Sequence, residues 1–265
     1  MSGPSDRRHS SALQLEARRT DTRRSRSELR RYSAAMTSKL NASTTPARTV
    51  TATPNGPYVV TGSIPLYRRR SVQSEHGEPL AWETTERVET RDKYYLCRCG
   101  QSAKKPFCDG AHTAAEFRAE DDNSGSYSDR SNVLGGTGIT VRDDRSICVH
   151  AGFCGNRVTN VWGQVPETAE STVRQQVITM VSNCPSGALT FRFDSDDVEP
   201  LLADAISVTD DGPLWITGSI PIAIDGGDTT LEVRNRVTLC RCGASANKPL
   251  CDGSHKAAGF QDPSK

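Results

Sequence analysis

The sequence predicts an α+β chain: two small β-rich units flank a mixed unit, behind a basic N-terminal arm expected to be disordered. Three observations predict it. A cysteine–histidine pattern occurs twice, as Cys97-x-Cys99-x8-Cys108-x3-His112 and Cys240-x-Cys242-x8-Cys251-x3-His255. Each copy follows short runs of β-branched and aromatic residues set between glycine and proline turns. Between the copies, three further cysteines accompany a stretch with helical periodicity. The expected boundaries are an arm at 1–52, a first repeat unit at 53–120, a linker at 121–134, a mixed unit at 135–200 and a second repeat unit at 201–265.

Composition narrows the field. The chain has 265 residues with a net charge of +1 and 25% charged residues, so nothing draws the whole molecule to nucleic acid or to a membrane surface. No apolar run approaches the roughly 20 residues of a membrane span, and no secretory leader opens the chain. Only 35% of residues are hydrophobic, so each core is small. Units of about 60 residues are marginal on burial alone and commonly need a metal or disulfides. The nine cysteines are an odd number and stand in clusters of three, which fits metal ligation in a reducing compartment better than a disulfide framework. A cytoplasmic location is therefore expected.

The arm carries eleven Lys/Arg against four Asp/Glu and has almost no apolar periodicity. Its Arg and Ser content also suits an organelle transit peptide, but Asp6, Glu16, Asp21 and Glu28 speak against import. A start of translation at Met36 is a third reading. The repeat proper begins at Asn55: NGPYVVTGSIPL at 55–66 matches DGPLWITGSIPI at 211–222. Gly-Pro opens a turn, and Tyr58–Thr61 and Leu214–Thr217 read as strands. Gly62 and Gly218 allow a bend before a short second strand. Further strands at Lys93–Leu96 and Arg236–Leu239 deliver the first cysteine of each motif. Thirteen extra residues in the first copy are placed in a loop around Arg68–Trp82. HTAAEF and HKAAGF read as short helical turns. In the mixed unit, strands are expected at Gly138–Arg142 and Ala188–Phe193. A helix is expected from Thr168 to Ser182, with Val173, Val177, Ile178 and Val181 on one face and Pro185 stopping it.

Three thiols and an imidazole within sixteen residues form a ligand set for a thiophilic metal centre. A 2Fe–2S centre has two tetrahedral irons and four outward positions. Cys97 and Cys99, one residue apart on extended chain, can face one iron, leaving Cys108 and His112 for the other. Asp109 and Asp252 are placed to cap the turn after the third cysteine, Gly110 and Gly253 to bring backbone close to the sulfides, and Pro106 and Pro249 to stiffen the loop. A Cys3His zinc site is the competing reading, but zinc loops space their cysteines by two to four residues. In the middle, Cys148-x5-Cys154 and a distant Cys184-Pro185 supply three thiols, with Ala151 where a further ligand would stand. His150, one residue from that position, is read as a hydrogen-bonding neighbour of the centre rather than a ligand.

The pattern C-x-C-x2-S-x3-P-x-C-D-G-(S/A)-H resembles the CDGSH iron–sulfur domain of the NEET proteins. Both copies match it, at Ser102, Pro106 and Asp109 and at Ser245, Pro249 and Asp252 as well as at the cysteines and histidines. The resemblance implies a 2Fe–2S cluster held by three cysteines and one histidine in each copy. It also implies β-rich units whose motifs pair face to face, here within the chain or as a homodimer. The middle loop CVHAGFC with CPSGAL is similar to the divergent single-cluster ferredoxins of bacteria, implying a 3Fe–4S or a 4Fe–4S cluster.

The expected function is electron transfer to or from a redox protein, with Lys105 and Lys248 placed to tune the histidines. Cluster storage or donation, or redox sensing, is the alternative, since a single imidazole is the weakest ligand of the four. A zinc-stabilised interaction module whose arm binds nucleic acid ranks lower, because no aromatic stacking set accompanies the basic residues. No catalytic constellation is visible, so the chain is expected to serve enzymes rather than be one.

Overall fold

A computed structural model describes residues 47–121, 125–193 and 201–262; most of the expected arm lies outside them. The strands are β1 (Thr49–Ala52), β2 (Tyr58–Thr61), β3 (Leu66–Gln73), β4 (Pro79–Val88), β5 (Lys93–Leu96), β6 (Asn132–Gly135), β7 (Ile139–Asp143), β8 (Leu189–Phe193), β9 (Ala205–Thr209), β10 (Leu214–Thr217), β11 (Ile222–Ile224), β12 (Thr229–Thr230) and β13 (Arg236–Leu239). They form two five-stranded sheets, ordered β12-β11-β1-β2-β5 and β13-β10-β9-β3-β4, and a three-stranded sheet, β6-β7-β8.

The two large sheets are built by exchange. Each takes three strands from one repeat and two from the other: β1 pairs in parallel with β11, and β3 in parallel with β9. Gly62 and Gly218 make this possible. Both adopt positive φ, +85° and +87°, at the end of β2 and β10, turning the chain out of its own sheet and across to the other. Alternation in β1 and β2 sends Val50, Ala52, Tyr58 and Val60 into one core, where they meet Ile206, Val208, Leu214 and Ile216 from the second repeat. Neither repeat closes a core alone.

The repeats differ on their outer faces. In β1 and β2 every second residue is only partly buried, whereas β9, β10 and β13 are buried on both sides. The middle unit covers the second sheet, with Trp82 of β4 held between them. Trp82 on β4 lies between Trp215 (ring centroids 5.3 Å apart) and Phe153 (5.0 Å), and its indole donates to the Asn183 carbonyl at 3.0 Å. Arg236 donates to the carbonyls of Cys184 (2.7 Å), Val181 (3.0 Å) and Leu189 (3.1 Å). These bonds tie β13 to the end of the middle unit's helix.

Several expectations are corrected. The thirteen extra residues form no loop: they lengthen β3 and build β4, whose register holds from Leu66↔Val88 to Gln73↔Pro79 through two irregularities. The chain is already paired at Thr49, inside the segment assigned to the arm, because Val50 and Ala52 are fully buried. The expected linker carries a helical turn at Tyr127–Arg130, capped by Ser126, and the first residues of β6. The helix runs Ser171–Ser182 rather than from Thr168, with the Glu170 carboxylate accepting from the Thr172 amide and a 3-10 turn at Val165–Glu167 before it. Val177 and Val181 form its buried face. HTAAEF becomes a helical turn at Ala111–Ala114, whereas HKAAGF stays a series of turns. Among the described residues, no helix is long and apolar enough to cross a membrane.

The two motifs meet at an antiparallel bridge between Cys99 and Cys242. Gly100 (φ +80°) and Gly243 (φ +82°) stand there. A Cβ on Gly100 would lie 2.6 Å from the Cys242 carbonyl oxygen, and one on Gly243 would lie 2.7 Å from that of Cys99. Gly100→Ala or Gly243→Ala is therefore expected to combine backbone strain with steric collision and to cost about 3 kcal/mol or more. Urea unfolding of the two variants checks this; a loss under about 1 kcal/mol would show that the motifs do not meet there.

Candidate metal centres

Each repeat builds its donor set the same way. β5 runs into Cys97 and β13 into Cys240, and the following loop folds back beside its own strand. Cys97 N–H donates to the Pro106 carbonyl (2.8 Å) and Cys108 N–H to that of Tyr95 (2.9 Å). In the second copy, Cys240 N–H donates to Pro249 (2.9 Å) and Cys251 N–H to Thr238 (3.0 Å). The third cysteine is thereby brought next to the first two. Both Lys–Pro bonds, Lys105–Pro106 and Lys248–Pro249, are cis.

The donors stand in pairs. Cys97 Sγ and Cys99 Sγ are 3.9 Å apart, and Cys240 Sγ and Cys242 Sγ 3.7 Å. His112 Nδ1 lies 3.4 Å from Cys108 Sγ, and His255 Nδ1 3.4 Å from Cys251 Sγ. Two thiolates about 2.3 Å from a tetrahedral metal sit about 3.8 Å apart, and a sulfur–nitrogen edge is somewhat shorter. Each pair thus fits two corners of one tetrahedron. Among the described residues, no group of three His, Cys, Asp or Glu side chains is arranged to hold a single ion. Two pairs per repeat suit a two-iron centre.

Loop bonds hold these positions. Ser102 Oγ donates to the Phe107 carbonyl (2.7 Å) and accepts from Lys104 N–H (3.0 Å), and Ser245 does the same with Leu250 and Asn247. Asp109 accepts from Ala103 N–H (2.8 Å) and Ala111 N–H (3.1 Å), and Asp252 from Ala246 (2.9 Å) and Ser254 (3.0 Å). Each aspartate accepts from the amide two residues on and clamps that turn to the loop before the third cysteine, but neither is a helix N-cap: Gly110 holds that position in the first copy, and the second has turns in place of a helix. Those amides hold Asp109 below the usual carboxylate range. Lys105 Nζ donates to the Ser102 carbonyl at 2.8 Å, and Lys248 Nζ to that of Ser245. Both fold back three residues along their own loop and brace it. Gly110 has a φ of +91°, and a Cβ there would meet no described protein atom within 4 Å.

Sequence reasoning missed the residue between the paired cysteines. Arg98 and Arg241 are almost completely buried. Arg241 donates to the carbonyls of Gly212 and Thr209, both at 2.7 Å, and pairs with Asp262. Arg98 donates to the Thr53 carbonyl (3.1 Å), pairs with Asp121 and lies 5.2 Å from the Tyr58 ring centre. Each guanidinium ties its ligand loop to the turn that opens its own repeat and puts a cation beside an anionic donor set. The repeated Cys-Arg-Cys was the available signal. Tyr58 adds a link between repeats, its hydroxyl facing the carbonyls of Cys240 (2.8 Å) and Pro249 (3.1 Å).

In the middle unit Cys148, Cys154 and Cys184 line one cavity of about 190 Å3, together with Arg145, His150 and Ala151. Asp144 accepts from Ser146 N–H (3.1 Å) and pairs with Arg130 (3.0 Å), shaping the turn into Cys148. Cys184 follows the helix end, its N–H donating to Val181 (3.0 Å). His150 is exposed, at φ +54°, and its carbonyl accepts from Lys256 Nζ at 2.6 Å.

All nine cysteines are free. Burial pushes the thiols of Cys99, Cys108 and Cys154 up, and Cys251 up to about 12. The hydrogen bond shared by Cys240 and Cys242 pulls Cys240 down to about 6 and pushes Cys242 up. Such crowded thiols ionise together only beside cationic metal, so the donor chemistry fits an iron–sulfur group.

Comparison with known families agrees with this geometry. Residues 55–113 and 211–256 match the iron-binding zinc finger of CDGSH type, and residues 134–194 match the divergent 4Fe-4S mono-cluster. These segments together span more than half of the chain. No curated protein matches it.

Two outcomes follow. Replacing Cys184→Ser is expected to remove the iron and sulfide of the middle unit and leave those of the repeats, read by metal analysis; loss of all iron would show that the centres do not form separately. His255, buried and beside Lys256 and Arg241, is pulled down to about 4. In metal-free protein the unfolded chain therefore takes up a proton that the folded chain refuses between about pH 6.5 and the lowered value. Stability should fall as pH drops through that window, and less so in His255→Asn, as read by urea midpoints against pH. Parallel curves would contradict the burial of His255.

Proposed function

We propose a function from the premise that this chain is a tandem CDGSH-type protein with a divergent 4Fe–4S mono-cluster domain between its two copies. It is an iron–sulfur cluster-binding protein, and in this reading it carries electrons one at a time for a redox protein. Cys97, Cys99, Cys108 and His112 hold one 2Fe–2S cluster, and Cys240, Cys242, Cys251 and His255 the other. Cys148, Cys154 and Cys184 hold a third cluster, 3Fe–4S or 4Fe–4S. Such groups, when bound, take up and release single electrons. The chain's own residues set the conditions. Arg98 and Arg241 offset the negative charge of the thiolates, Gly110 N–H donates to Cys108 Sγ at 3.4 Å, and Ala244 N–H donates to Cys242 Sγ at the same distance.

The observation that carries the reading is the pairing of donors at 3.4 to 3.9 Å, made twice by repeats that share their sheets. Shared sheets support pairing of the two motifs within one chain, with no second copy needed. A rigid double scaffold suits a carrier that gains and loses an electron without rearranging. The nine free cysteines support a reducing compartment such as the cytoplasm.

Cluster donation is the second reading, favoured by one observation: His112 is only half-buried, while Cys97 and Cys99 are buried. The weakest ligand is thus among the most accessible ones.

Protein purified without oxygen is expected to contain iron and acid-labile sulfide, to be red-brown and to bleach with dithionite. Its repeat centres should have potentials between roughly −400 mV and the Rieske range, because one imidazole replaces a thiolate. Stoichiometric zinc without sulfide would overturn the assignment. If donation is the task, His112→Cys should abolish transfer to an apo-acceptor while leaving redox cycling intact; a pure carrier would show no such transfer even before the substitution.

A further inference from the structure

The two CDGSH motifs match in sequence but not in surroundings. Gly110 is exposed, whereas Gly253 is buried against the middle unit. A Cβ on Gly253 would lie 2.6 Å from His150 Cδ2 and 3.1 Å from the Cys148 carbonyl oxygen. The His150 carbonyl accepts from Lys256 Nζ at 2.6 Å, and Asn247 Nδ2 donates to the Ser146 carbonyl at 3.3 Å. His150 lines the cavity of the three middle thiols and also a cleft of about 370 Å3 lined by His255 and Lys256. His150 has left-handed backbone, φ +54°, and its ring lies against the Gly253 turn.

We propose that the contact between the Cys148–Gly152 loop and the Gly253–Lys256 turn is an internal electron-transfer contact, with His150 as its positioning residue. It joins the middle centre to the second CDGSH centre and leaves the first to meet an outside redox protein. This rests on the reading of the chain as an iron–sulfur electron carrier. The step is the passage of one electron from the reduced member of that pair to the oxidised one. No proton, ligand or bond moves, and the first electron comes from an external one-electron donor. Electron tunnelling weakens steeply with distance, so this backbone contact favours the second CDGSH centre over the first as the partner of the middle one. In the first repeat the matching glycine has open space around it. The β3–β4 hairpin, and not the ligand loop, is what that repeat lays on the middle unit, through Trp82 and through Glu78, which accepts from Arg157 N–H at 2.5 Å.

The test uses the full chain, loaded without oxygen and reduced with dithionite, and reads microwave-power saturation of the two 2Fe–2S EPR signals. His112→Cys shifts the spectrum of the first centre and so tells the signals apart; His255→Cys gives the mirror assignment should the first variant not load. The second centre is expected to saturate at several-fold higher power than the first, because the middle centre relaxes it. Equal saturation of both would overturn the pairing. In a second measurement, His150→Ala with unchanged iron and sulfide should slow re-equilibration after flash photoreduction several-fold, and His150→Phe, which keeps a ring in the contact, should restore it. An unchanged rate in His150→Ala would overturn the role of His150. Absence of sulfide and of every EPR signal would instead sink the carrier reading itself.

Discussion

At the junction of the repeats, two backbones come so close that neither tolerates a side chain. Cys99 and Cys242 bridge one another, and the residue after each is a glycine at positive φ whose missing Cβ would strike the opposite carbonyl. This close approach sits one residue beyond a cysteine in each donor set, so the geometry of both sets is referred to a single point. The exchange of β3 and β11 between sheets serves the same end from the other side. A repeat that lends a strand to its twin cannot drift from it without opening both cores.

The middle unit breaks the symmetry this creates. It lies on one sheet only, and the second repeat is adapted to it residue by residue. Arg236 replaces Lys93 at the register position opposite Thr217 or Thr61, and its guanidinium satisfies two carbonyls at the helix end and one at the start of β8. Burying that cation among carbonyls offsets a desolvation cost that a solvated lysine never meets. Two motifs with nearly the same sixteen residues therefore end in different environments, one facing solvent and one facing another donor cluster.

Charge runs through the design in a consistent way. Thiols are brought side by side in pairs, and an arginine sits between the paired ones, itself paired with Asp121 or Asp262. The arrangement is costly without metal and favourable with it, which links cluster loading to the stability of the scaffold.

How much of this was legible follows from range. The repeated donor pattern, the strands that carry the first cysteines and the helix face of Val177 and Val181 are local signals: spacing, alternation and turn residues within a dozen positions. The β3–β4 hairpin was hidden because Arg68–Arg70 look like loop until Glu83 and Glu86 are known to face them across the strands. Strand exchange, the arginine anchors, the bracing role of Lys105 and Lys248 and the approach of His150 to Gly253 depend on partners up to more than a hundred residues away. The sequence by itself determined which atoms can bind metal, because thiols and imidazoles at fixed spacing admit few chemistries. Only the tertiary structure decided how the sets are paired and which one is covered, because that depends on which sheet a strand joins once glycine lets it leave its own.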